Sequence, residues 1–133
     1  KEYEMVDYNK NLKTYEGLNL VVKANDKNYF IYSVRGIIDI YNIDECIEKQ
    51  KEVVSEVKYL FPEAITTNFD GDYDDFDPSK KSYSKEIELK LVSEDAVSVL
   101  CAHFSKEMLT QYPSFVPGLD ITIFHKDFLK WLF

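Results

Sequence analysis

The chain has 133 residues, 45% of them hydrophobic and 30% charged, with a formal net charge of −8. That balance is typical of a folded chain and not of a disordered or fibrous one, and the length suits one domain that buries about two-thirds of its unfolded surface without needing a metal or a disulfide. The excess of acid argues against direct binding to nucleic acid or anionic lipid, which takes clustered Lys and Arg, and no apolar run approaches the roughly 20 residues of a membrane-spanning helix.

The first residue is Lys1, so a signal peptide, a tag or a neighbouring domain is expected to have been removed upstream. Arg35 is the single arginine among the sixteen basic residues, which excludes a site built from paired guanidinium forks. The net charge itself has two readings: solubility, or attraction to a basic partner.

Residues 1–16 are polar with scattered tyrosines and no clean periodicity, and read as an irregular arm, with a single α+β domain over 17–133. Leu18, Leu20 and Val22 alternate with Asn19, Val21 and Lys23 as a strand, and the Asn25–Asn28 cluster reads as its turn. Tyr29–Val34 is the return strand. Arg35-Gly36 then reads as a tight turn in preference to a bulge, before a second β-rich run, Ile37–Tyr41.

Asn42 followed by Glu45 has the spacing of a helix N-terminus. Ile43, Cys46, Ile47, Val53, Val54, Val57, Leu60 and Phe61 keep helical spacing until Pro62 stops it, so an amphipathic helix from Asn42 to Phe61 is predicted to pack on a sheet. Asp70–Lys81 reads as an acidic loop. Ile87, Leu89 and Leu91 alternate with charged residues as a half-buried strand.

Ala96–Phe104 fits a strand and a helix equally well, and Ser93-Glu94-Asp95 is accordingly a hairpin turn or a helix cap. Val116-Pro117-Gly118-Leu119 has the composition of a type II turn, after which Leu119, Ile121 and Ile123 form a last strand. Asp127–Phe133 reads as a short apolar helix, whose Phe128, Leu129, Trp131, Leu132 and Phe133 should dock on the domain or in an oligomer. The expected fold is therefore α+β: a mostly antiparallel sheet, one main helix, a second helix if Ala96–Phe104 is helical, and a short C-terminal helix.

The chemistry is quiet. There is no glycine-rich phosphate loop and no Gly-x-Ser-x-Gly elbow in a chain with four glycines. His103 and His125 fall in separate elements, which disfavours a zinc site, and residues i and i+2 of a strand do not orient Cys101 and His103 as a nucleophile pair. No cofactor is expected. Phe69–Asp77 stands apart, with five aspartates and three aromatics interleaved. Read as a calcium loop from Asp70, it has Asp75 and Lys81 where glycine and glutamate belong. Its other reading is a partner surface: Asp70, Asp72, Asp74, Asp75 and Asp77 steer a basic protein, and Tyr73 and Phe76 anchor it.

The function expected from the sequence is a non-catalytic protein-binding domain, of the kind that inhibits a basic protein or confers immunity to one. The alternative is a small-ligand binder or enzyme with a pocket built from scattered Tyr and carboxylates. Cys46 and Cys101 both fall on predicted core faces, and a bridge between them is expected if the chain is exported to an oxidising compartment, periplasmic or extracellular.

Overall fold

In the computed structural model, which describes residues 3–8, 12, 14–28 and 30–133, seven strands form one antiparallel sheet in the order β1-β2-β3-β7-β6-β5-β4. The strands are β1 (Tyr3–Tyr8), β2 (Gly17–Lys23), β3 (Ile31–Asp39), β4 (Ile65–Asp72), β5 (Tyr83–Lys90), β6 (Ala96–His103) and β7 (Gly118–Phe124). Among the described residues, α1 (Ile43–Leu60) connects β3 to β4, α2 (Lys106–Gln111) connects β6 to β7, and α3 (Lys126–Leu132) follows β7. No helix among the described residues is long and apolar enough to cross a membrane.

Helix α1 starts where its cap predicts, with the Asn42 side chain accepting from the Glu45 N–H at 3.1 Å. It lies across β6 and β7. Its buried Cys46 and Val54 meet Val97, Val99 and Cys101 of β6, Leu89 of β5 and Leu119 of β7, with Ile43, Ile47, Val53 and Val57 closing the edges. These strand residues alternate along their strands, so they share one face of the pleat. The wholly buried Cys46 and Cys101 meet there at disulfide distance, with Cα atoms 6.0 Å apart. Gln50, also buried, donates from Nε2 to the carbonyls of Lys85 (2.9 Å) and Val99 (2.8 Å).

A second, smaller core lies on the other face, where Phe128 of α3 packs with Tyr3 and Val21 beside Tyr32 and Phe124. Asp95 fixes α3 from the β5–β6 hairpin by accepting the Lys126 N–H at 2.8 Å. The apolar tail is thus docked through Phe128, whereas Trp131, stacked on it, is 51% exposed and Phe133 is 99% exposed.

Four expectations need correction. Tyr3–Tyr8 is not an irregular arm but an edge strand paired along β2, with Asn19 Nδ2 donating to Asp7 Oδ1 across the pair. Arg35-Gly36 makes no turn, because β3 runs through both residues. Tyr15 lies where a Gly36 side chain would be, its ring carbons 2.7 Å from the built Cβ position, so this glycine admits a packed aromatic. The turn before β7 falls at Pro113-Ser114, and Gly118, at φ 159°, is the first residue of the strand itself. The acidic stretch begins inside β4, which was not foreseen as a strand.

The strand-or-helix ambiguity resolves as β6, with the preceding residues forming a hairpin turn in which Glu94 takes a positive φ of 74°. The second helix begins later, at Lys106, and is capped by Ser105. Tyr29, placed at the start of the return strand, lies outside the described residues, and β3 itself begins at Ile31.

Candidate functional site

The residues singled out in the acidic segment separate by role. Asp70 and Asp72 stand on β4, both exposed; Asp70 meets Lys85 Nζ at 3.3 Å, and Asp72 Oδ1 accepts the Asp74 N–H at 3.1 Å. Asp74 and Asp75 are exposed in the turn that follows. All of β4 is exposed, on both faces of its pleat, and only β5 pairs with it. At its start a groove of about 390 Å³ opens among Leu60, Phe61, Ala64, Leu91 and Val92.

Asp77 is different. It is wholly buried and so not available to a partner. Its Oδ1 accepts from the Ser79 N–H (3.0 Å) and Ser79 Oγ (2.7 Å), and its Oδ2 accepts from Ser82 Oγ (2.5 Å) and Ser105 Oγ (2.7 Å). Ser105 is also the cap of α2, accepting the Met108 N–H at 3.1 Å, so one carboxylate joins the β4–β5 loop to the start of that helix. Burial alone would raise the Asp77 carboxyl, but the donors from Ser82, Ser79 and Ser105 overcome it and hold the group far below the ordinary carboxylate range.

A carboxyl depressed in the fold contributes stability that is complete above its unfolded value, about 4, and is lost as pH falls toward the folded value. Asp77→Asn should therefore lower the melting temperature by roughly 10 °C near neutrality, because an amide presents donors where hydroxyls already donate. The gap between variant and wild type should persist down to about pH 4 and close in stronger acid. A gap unchanged down to about pH 2 would show that the charge is not what holds the loop.

Tyr73 is half-buried and Phe76 is 47% exposed, and both pack against other rings. Tyr73 sets its ring edge to Phe104 at 5.1 Å, and Phe76 meets Tyr112 and Phe115 at 5.8 and 6.1 Å. With the Phe104–Phe115 and Tyr112–Phe115 contacts they form one aromatic cluster linking the loop to the segment after α2. Burial pushes the Tyr73 phenol up, a hydrogen bond with Ser84 draws it back, and the Asp120 charge adds to the rise.

This cluster is one wall of a cleft of about 570 Å³ on the sheet face opposite α1. Arg35 and Ile37 form its floor, Tyr73, Phe104 and Phe115 with Val116 its largely aromatic side, and Glu16 and Asp39 its rim. A recess of about 150 Å³ continues it over Leu100, Ala102 and Asp120. Arg35 is held at the floor by Asp120 Oδ2, at 2.6 Å from Nε and 2.5 Å from a terminal nitrogen, while Asp120 Oδ1 accepts from Thr122. At the rim the Asp39 N–H donates to Glu16 Oε2 at 2.9 Å. Partial burial, and then the neighbouring Glu16 charge, push the Asp39 carboxyl up.

The cleft residues escape a reading of the sequence because they come from the β2 entrance, β3, the β4–β5 loop, β6 and the β7 approach. The one local signal is that Glu16, Arg35 and Asp39 interrupt otherwise apolar or small neighbours, the mark of a strand face left uncovered. The histidines lie apart, His103 ending β6 beside Tyr83 and His125 capping α3 at the other end of that strand. Among the described residues no three His, Cys, Asp or Glu side chains form a group that could hold a metal ion. No family model, no curated protein and no solved structure matches the chain.

Proposed function

We propose that the chain is a non-catalytic binding domain that engages a basic segment of another protein along the free edge of β4, in the manner of an inhibitor or immunity protein. The observation that carries this reading is β4 itself: eight residues exposed throughout and paired evenly with β5 on one side only. Edge strands are usually blunted by lysine, proline or a bulge, and β4 has none of these. Its unpaired backbone groups can take an added strand, and its side chains set the orientation.

The two ends of β4 differ in chemistry. Ile65, 68% exposed, adjoins the apolar groove by Leu60, Phe61 and Val92, whereas Asp70, Asp72, Asp74 and Asp75 cluster at the far end. The partner segment fitting both is extended, with apolar residues at one end and Lys or Arg at the other. Export to an oxidising compartment fits the Cys46–Cys101 pair.

An extended peptide with a Val-rich half and a Lys-rich half tests the reading. It should bind with an affinity that falls as salt rises, and replacing Asp70, Asp72, Asp74 and Asp75 by Asn should cut the association rate about tenfold while the melting temperature holds. Methylating alternate peptide nitrogens should weaken binding when the methylated groups face β4. Wild-type binding by the four-Asn variant, or indifference to methylation at either set, counts against the edge as the interface.

A further inference from the structure

We infer that the cleft opposite α1 is a binding site for a small organic cation, an ammonium or guanidinium carried on an apolar stem. The inference goes beyond the edge-strand reading and uses none of its residues. Its charge sense follows from the pairing of the four groups that carry formal charge among the described residues lining the cleft, Glu16, Arg35, Asp39 and Asp120. Arg35, the one cation among the described lining residues, pairs with Asp120 Oδ2 through two nitrogens, and Asp120 Oδ1 accepts from Thr122. That leaves Glu16 and Asp39 side by side at the rim, and among the described residues no cationic side chain forms an ion pair with either.

Two adjacent carboxylates repel each other, and the Asp39 carboxyl is raised first by partial burial and then by the Glu16 charge. A cation lodged between them relieves the repulsion, which an anion would increase. Below the rim the walls supply the other half of the recognition. Tyr73, Phe104 and Phe115 offer ring surface to a cation or an apolar stem, and Ile37, Leu100 and Ala102 make a floor without further charge. The volume of about 570 Å³, extended by the 150 Å³ recess, falls in the range of small-molecule clefts.

The wall is also preorganised, since the Asp77 hydrogen bonds tie the Tyr73 loop to the cap of α2 and so fix the aromatic cluster before any ligand arrives. The rim position is set from the backbone: the Glu16 N–H donates to the Ile37 carbonyl at 2.9 Å, and the Glu16 carboxylate accepts from Asp39.

Two probes of matched shape and opposite charge test the inference on the full chain: 4-phenylbutylamine and 4-phenylbutyrate, titrated while backbone amide shifts are recorded. The amine should bind saturably in the millimolar range or tighter, shifting the amides of Glu16, Asp39 and Phe115, with the acid at least about tenfold weaker. Glu16→Gln with Asp39→Asn should weaken the amine about tenfold and leave the rest of the amide spectrum in place, because both residues are exposed. Ala102→Phe, which fills the recess, should weaken binding of the amine without changing its preference over the acid. Equal or tighter binding of 4-phenylbutyrate would overturn the inference, giving Arg35 the deciding charge, as would amine-induced shifts that map away from the cleft or no binding by either probe.

Discussion

Gly118→Ala should lower the stability of the chain by about 4 kcal/mol, combining overpacking with an unfavourable backbone conformation. A Cβ at this position would stand 2.1 Å from the Ile38 carbonyl oxygen and 2.9 Å from the Ile40 nitrogen, which are backbone atoms and cannot swing aside. Gly118 pairs with Asp39 on one side and Ala102 on the other, so relief requires β3 and β7 to part at the end that floors the cleft. Gly17→Ala is the control: nothing lies within 4 Å of its built Cβ, and the change should stay within about 1 kcal/mol. Urea unfolding midpoints of the two variants decide the matter. A Gly118→Ala protein as stable as Gly17→Ala would show that the backbone from Ile38 to Ile40 yields freely.

Removing the Cys46–Cys101 link should have an effect of similar size. The pair closes a loop with a sequence separation of 55, for which the chain-entropy estimate is about 4 kcal/mol. Both sulfurs are wholly buried between α1 and β6, so reductant should act only when the helix lifts, and reduction of the native protein should track local opening. The double Cys→Ala variant should unfold at markedly lower urea, and the denatured, unreduced wild type should resist alkylation. Two freely alkylated thiols in protein taken from its native compartment would remove the bridge from the account.

The parts of this fold that can be read from the sequence are those with one buried face. Helix α1 follows from its Asn42 cap and 3.6-residue spacing, and β5 from its strict alternation, because each lays a single stripe on the core. Strands β1 and β4 have no such stripe. They are sheet edges, β4 wholly exposed and β1 exposed over residues 4–7 with, among the described residues, Tyr3 alone buried, so no buried stripe alternates along either. Strand β6 fails for the opposite reason: Val97, Val99 and Cys101 pack under α1 while Ala96 and Leu100 put apolar side chains on the other face, so the run, broken by Ser98, fits either period.

Arg35-Gly36 looks like punctuation only when the long-range partners are ignored. Asp120, 85 residues away, holds the arginine, and Tyr15 occupies the room the glycine leaves. The acidic segment was visible as a departure from background, but its composition could not assign roles within it. Asp77 has the serine two residues on that makes a local turn, a signal for a structural carboxylate; Asp70, Asp72, Asp74 and Asp75 lack burial. Beyond the charged interruptions at Glu16, Arg35 and Asp39 the cleft was not legible, since its carboxylates and arginine are scattered from Glu16 to Asp120 and meet only through the sheet order.

Gln50 bears on how sharply that cleft is defined. Aliphatic side chains let a helix slide or roll on a sheet by a fraction of a turn with little change in buried area, whereas a directed N–H bond weakens steeply once its angle or length is spoiled. From the middle of α1, one amide nitrogen reaches the carbonyl of Lys85 on β5 and that of Val99 on β6 together. Only one axial and azimuthal setting of the helix satisfies both. The amide acts as a locating pin between two adjacent strands, fixing their stagger as well as the seat of the helix. The twist of the sheet beneath α1 is thereby held to one value, and the positions of Leu100 and Ala102 on the reverse side of β6 inherit that definition without a contact of their own to α1.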